Sequence, residues 1–207
     1  MLINKELKQY LDKNIVSLYD KNDDGHNRDH FDYVLKRAIN FGKQLNLNLD
    51  AIYTIVAFHD VGHYVDKNNH EVVSAKIFEN DHFVKSFFND EFNKIIKEAV
   101  LDHRASSIND PRSIYGKVVS TADRNVDLDS ILKRTYEYRK NDSNYNCEEI
   151  IEESYNHIIK KFGKNGYAVS KSYFKDLEYE KFLKEVLYIT SDYDKFEKKY
   201  KKVNNLD

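Results

Sequence analysis

The sequence has a single cysteine, Cys147, so no internal disulfide can form and no thiolate-rich metal site can be built; this fits a reducing compartment. One proline and six glycines in 207 residues remove the turn punctuation that an all-β chain needs every eight to twelve residues or so, leaving long helices as the expected structure. There is no long apolar run of bilayer-crossing length, and Met1-Leu2-Ile3-Asn4-Lys5-Glu6 turns charged at once. A membrane association or secretion signal is therefore not expected, and the cytoplasm is the expected location. Nor is there an excess of positive charge: Lys+Arg 33 against Asp+Glu 35 leaves a net charge of -2, so a nucleic-acid partner is not expected and any anionic substrate must be met locally.

What is present is helical periodicity. Apolar positions at Leu2, Ile3, Leu7, Leu11, Ile15, Val16 and Leu18-Tyr19 predict a helix over 2–20, broken by Asp20 to Gly25. A second helix starts near Asn27 to Asp29, with His30 in its first turn, and ends about Gly42. Asp50 is the expected N-cap of a third, ending around Gly62, whose Ala51 to Phe58 read as buried on all sides. Further helices are expected from His70 through Phe78, over 90–103, over 113–126 with Ile114 inward, and over 128–140, 148–162 and 178–204. The breaks fall at 104–113, at Asn141 to Asn144 and at Gly163 to Gly166. The length suits one domain spanning 1–207.

The third helix ends in His59-Asp60, an imidazole and a carboxylate carried into apolar surroundings. A buried polar pair needs a partner, and a metal ion is one. His30, His59, Asp60, His70, His103 and Asp123 all fall at helix ends or on apolar faces, and all are nitrogen or oxygen donors. Such a set suits one or two divalent ions, Mn, Fe, Co or Ni, with Mg at the oxygen-rich end, rather than a closed structural zinc.

The order of these residues resembles the HD-domain superfamily of metal-dependent phosphohydrolases, over about residues 22–130. The matching pieces are His30 in Asp29-His30-Phe31, His59-Asp60 in His59-Asp60-Val61-Gly62, and Asp123 in Thr121-Ala122-Asp123-Arg124. The resemblance implies an all-α fold, a helical HD-domain bundle, to which the helices read from the sequence pattern add a C-terminal extension over about 131–207. It implies that His30, His59, Asp60 and Asp123 are the metal ligands; His70 and His103 fall where members with a second metal carry their extra histidines, to ligate a second ion or to contact substrate phosphate. Where many members carry lysine after His-Asp-x-Gly this chain has His63, and no Gly-Tyr-Pro signature is present, which argues against the cyclic-dinucleotide phosphodiesterase branch. Asp24-Gly25-His26, Asp102-His103-Arg104-Ala105-Ser106 and Ala122-Asp123-Arg124 bring the likeness closest to small stand-alone bacterial HD hydrolases.

The implied activity is hydrolysis of a small phosphate ester, a nucleotide being the leading candidate, by a metal-activated water, with Asp60 as the catalytic carboxylate bridging two ions or orienting water at one. Arg104 and Arg124 adjoin proposed ligands and are the candidate phosphate contacts, with His26, His63, Arg112 and Lys117 as further candidates. His82 and His157 read as surface or packing residues, and Lys198 to Lys202 as part of a covering helix. Two rivals stand beside this reading: a di-iron oxygenase on the same ligands, and a non-catalytic nucleotide- or metal-binding module.

Overall fold

The computed structural model describes residues 3–23, 25–142, 145–169 and 173–206. The expectations placed on Leu2, Asp24, Ser143 and Asn144 lie outside these described residues. The described residues are helical with no strand, the all-α fold expected, and no helix among them is long and apolar enough to cross a membrane. The chain divides into two compact units, Met1–Arg124 and Asn125–Asp207.

The first unit comprises α1 (Lys5–Asn14), a 3-10 helix (Val16–Lys21), α2 (Arg28–Gln44), α3 (Leu49–Phe58), α4 (His70–Asn80), α5 (His82–Lys85), α6 (Asp90–Asp102) and α7 (Ile114–Ala122), built about one buried rod. That rod is α3, which packs against α1, α2, α4, α6 and α7. Every residue from Ala51 to Phe58 is buried, which is why its sequence is apolar all round. Its N-cap is Asn48 rather than Asp50: the Asn48 side chain accepts from the Asp50 and Ala51 amides, while the Asp50 carboxylate accepts from the amide of Asn4. The helix ends at Phe58, four residues earlier than expected, and the chain continues in turns through Val65.

The single helix expected over 2–20 is two elements. Polar side chains bond back to the backbone at the break, Asn14 Nδ2 to the Tyr10 carbonyl and Ser17 Oγ to the Lys13 carbonyl, beside the β-branched pair Ile15-Val16. The tighter 3-10 winding that follows buries Tyr19 completely. α5 is a four-residue helix not expected from periodicity, started by the Asp81 side chain accepting from the Val84 amide. Ile114, expected inward, is 43% exposed, because α7 buries Tyr115, Val118, Val119 and Ala122 instead.

In the second unit, α8 (Leu128–Asp142), α9 (Cys147–Phe162), α10 (Leu177–Ile189) and α11 (Tyr193–Asn204) close on a core of their own, with Leu132, Ile151, Ile158, Phe182, Val186 and Phe196 at its centre. Asn146 and Glu149 make a reciprocal capping box at the start of α9. The continuous helix expected over 178–204 is broken after Ile189. Thr190 Oγ1 bonds back to the Val186 carbonyl, and Asp192 starts α11 by accepting from the Asp194 amide.

Candidate metal centre

The C-terminal ends of α3, α6 and α7 and the N-terminal turns of α2 and α4 converge in the first unit, and each brings a donor. His59 and Asp60 follow α3, His103 follows α6, Asp123 follows α7, His30 lies in the first turn of α2, and His70 begins α4. All six ligands expected from the sequence meet here.

Asp60 is the hub. Its Oδ2 lies 3.2 Å from His59 Nε2 and 3.4 Å from His30 Nε2. Its Oδ1 lies 3.1 Å from His70 Nε2 and 3.2 Å from His103 Nε2. Asp123 Oδ1 closes the first group, 3.0 Å from His30 Nε2 and 4.0 Å from His59 Nε2. Two groups able to hold a metal ion result, His30–His59–Asp60–Asp123 and Asp60–His70–His103, sharing one carboxylate.

The imidazoles are set for ligation by their far edges. His59 Nδ1–H donates to the Val56 carbonyl at 2.8 Å, His103 Nδ1–H to Val100 at 2.7 Å, and His70 Nδ1–H to Lys67 at 3.1 Å. A proton held on Nδ1 leaves the Nε2 lone pair facing the carboxylate oxygens. His59 and His30 then oppose Nε2 atoms at 3.4 Å, and His70 and His103 at 3.2 Å. Facing lone pairs repel unless a cation or a proton lies between them, so the donor set fits divalent ions of the nitrogen- and oxygen-preferring kind.

In the first group the carboxylates favour a proton on His30. Burial alone would lower the pKa of His30, but its hydrogen bonds to Asp123 and Asp60 outweigh burial and raise it to about 10. Burial likewise works against the charged forms of Asp60 and Asp123. The histidines around them prevail, His59 and His103 for Asp60 and His30 for Asp123, and hold both carboxyls well below the usual carboxylate range.

Several residues that shape the centre escaped the sequence reading. Tyr19, fully buried, donates from its hydroxyl to the Val56 carbonyl at 3.1 Å and accepts from the Asp60 amide at 3.2 Å, tying the 3-10 helix to the His-Asp turn. Arg37 donates through Nη1 to the carbonyls on either side of Asp123, Ala122 at 3.0 Å and Arg124 at 2.5 Å, with the Tyr33 hydroxyl also donating to Arg124. Asn22 Nδ2 donates to the carbonyls of His26 and Asp60 while its Oδ1 accepts from the Tyr64 amide. Tyr19 falls among the apolar positions of the first stretch, and Arg37 has no feature in the sequence that marks it out. Only Asn22, beside the break ahead of α2, carried a signal as a turn residue.

The expected substrate contacts are dispersed. His26 and His63 stack at a ring distance of 3.9 Å beside the centre. Burial, then the neighbouring His26, push the pKa of His63 down to about 4. Arg104 donates to the Glu71 carboxylate and the Asn68 carbonyl. Arg112 is clamped on Asp102 and Glu98. Arg124 is 6% exposed, and Lys117 lies along α7 on a half-buried turn. His82 is exposed and His157 half-buried, in keeping with the surface or packing roles expected for them.

Fold and donor set together define an all-helical protein with a His/Asp centre able to take divalent metal. Residues 28–125 match the family model described as the HD domain, a segment that falls almost entirely within the first unit. HD domains are for the most part metal-dependent phosphohydrolases. No match to the chain is found among the curated proteins or among the solved structures.

Proposed function

We propose that the protein is a metal-dependent phosphohydrolase of small phosphate esters, with a nucleotide as the leading candidate substrate and Asp60 at the centre of the reaction. The observation that carries this reading is the two-sided coordination of Asp60, each of whose carboxylate oxygens faces two histidine Nε2 atoms within 3.4 Å. A carboxylate presented this way is suited to bridge two ions, held on one side by His30, His59 and Asp123 and on the other by His70 and His103. Divalent metal held there would supply Lewis acidity, lowering the pKa of a water toward neutrality and offsetting phosphoryl charge.

The protein's own part is positioning and charge. The Nδ1 bonds to Val56, Val100 and Lys67 hold the imidazoles in their orientation, and Arg37 fixes the turn that presents Asp123. Arg104, one residue beyond His103 and 33% exposed at its side chain, is the proposed phosphate contact, exchanging Glu71 for the substrate anion. Arg124, being buried, is a weaker candidate for that contact than Arg104.

Metal analysis of anaerobically purified protein, paired with phosphate-release assays over nucleotides and phosphomonoesters, tests the reading. Two first-row ions per chain at the Asp60 groups and phosphate release abolished by Asp60→Ala are expected. Release at the wild-type rate in Asp60→Ala would sink the mechanism. Stoichiometric iron with O2 consumption and no phosphate release would assign the same ligands to a di-iron oxygenase.

A further inference from the structure

Beside the two groups that share Asp60 lies a third set of donors with no part in them. Asp23 sits in the turn ahead of α2, His26 three residues later, and His63 in the turn that follows Asp60. Asn22 draws the two turns together, its amide donating to the His26 carbonyl at 2.8 Å and the Asp60 carbonyl at 3.1 Å while its oxygen accepts from the Tyr64 amide at 2.9 Å. The Asp23 side chain also accepts from the Gly25 amide, which pins the carboxylate in place. In consequence the His26 and His63 rings stack, centroids 3.9 Å apart and 24° from parallel, and both direct Nδ1 at the same carboxylate. His26 Nδ1 is 2.8 Å from Asp23 Oδ1, and His63 Nδ1 is 4.0 Å from Asp23 Oδ2.

The His63 side chain is 5% exposed, and its Nδ1 is buried with no hydrogen-bond partner. A buried ring nitrogen left in this state is costly, and native structures rarely leave one without a reason. At 4.0 Å the Asp23 oxygen is too distant to bond it directly. The gap between two aligned imidazole nitrogens and a carboxylate is one that a coordinated ion spans, since one ligand atom from each residue lies within 4.8 Å of the other two.

We propose that Asp23, His26 and His63 form a further divalent-cation site, separate from the Asp60 groups and open to solvent on the Asp23 side. Two nitrogens and one oxygen select a borderline first-row ion such as Zn, Co or Ni over Mg or Ca. Three protein ligands leave positions for water or for an anionic group of a substrate. Asp23 and His26 side chains are 41% and 25% exposed, which gives the ion a path in. Lys67 Nζ, 3.3 Å from Asp23 Oδ2 on a side chain 68% exposed, is the competing cation and swings away when the ion binds.

The inference does not require the phosphohydrolase reading. Metal-free protein is dialysed against buffered Co(II) or Zn(II), and bound metal is counted in wild type, His26→Ala, His63→Ala and Asp123→Asn. The expected result is that His26→Ala and His63→Ala each lose the same one equivalent, with the absorption bands of that Co(II) ion, and that Asp123→Asn retains it. Lys67→Gln should bind that equivalent about two- to fivefold more tightly, the size of an exposed ion pair. Wild-type stoichiometry and affinity in His26→Ala overturn the proposal. Because His26 is partly exposed, that variant decides the question even if His63→Ala does not fold. Wild-type protein that takes up the Asp23 equivalent but no Asp60-linked metal would count against the proposed centre and not against this site.

Discussion

Gly62 is where α4 approaches the His-Asp turn, and a single methyl group there tests how the second metal group is positioned. An added Cβ would lie 2.7 Å from the Ser74 amide nitrogen, 2.8 Å from Val73 Cβ and 2.9 Å from the His70 carbonyl oxygen. Two of these three neighbours are backbone atoms of α4, so a side-chain rotation cannot make room. The turn is also held to that helix by the Gly62 amide donating to Ser74 Oγ at 2.9 Å. Reaching ordinary contact distance demands a shift of about 0.7 Å of the first two turns of α4. Overpacking of this kind costs about 1–3 kcal/mol. His70 begins that helix and would move with it, whereas metal–ligand distances tolerate only about 0.2 Å. Gly62→Ala is therefore expected to lower the urea midpoint and to weaken the ion proposed at Asp60, His70 and His103 more than the ion proposed at His30, His59, Asp60 and Asp123. Chemical denaturation of the metal-free variant and a Co(II) titration read the two effects separately. A Gly62→Ala protein with wild-type stability and wild-type affinity for both ions would refute the account of how α4 is placed.

Other predictions follow from the same geometry. Arg37→Met removes a donor to both carbonyls flanking Asp123, leaving Arg124 with the Tyr33 hydroxyl, and should cost about 1–3 kcal/mol in denaturation and reduce metal at the first group, with Arg37→Lys recovering part of both; a loss under about 0.5 kcal/mol would contradict it. Tyr19→Phe leaves the buried Asp60 amide without its acceptor and should destabilise by about 1–3 kcal/mol, measured by urea unfolding, with no change in metal number. The pH dependence has a worked sign. The folded pKa of His30, raised to about 10, makes its contribution to the metal-free protein complete below its unfolded value and lost as pH climbs through about 10. The depressed Asp60 and Asp123 contribute above the ordinary carboxylate range and lose that contribution as pH falls below it. Metal must displace the His30 proton, so affinity at the first group should rise about tenfold per unit between roughly pH 7 and 9, and a flat chelator-competition profile would refute that.

Much of the centre was legible because the chemistry of its residues is unusual where they stand. A histidine and an aspartate closing an apolar helix, and a histidine ending the stripe Ile95, Ile96, Ala99, Val100, stand out against buried neighbours. The supports were not legible, since Tyr19 fits an apolar pattern and nothing in the sequence marks out Arg37 until a fold sets each against its partner. Helix breaks at 15–16 and 190–192 were missed for a related reason. Side chains of Asn14, Ser17, Thr190 and Asp192 compete locally with the helical ladder, and periodicity does not register that competition.

By itself the sequence determined that the chain is helical, that α3 is buried on every side, and that six nitrogen and oxygen donors occur in the HD order. Those are properties of composition, period and residue type. Only the tertiary structure decided that Asp60 turns one oxygen to each pair of histidines, and that His63 joins Asp23 and His26 in a separate cluster. These depend on how helix ends far apart in the chain are brought within a few ångströms of one another, and such distances are set by packing.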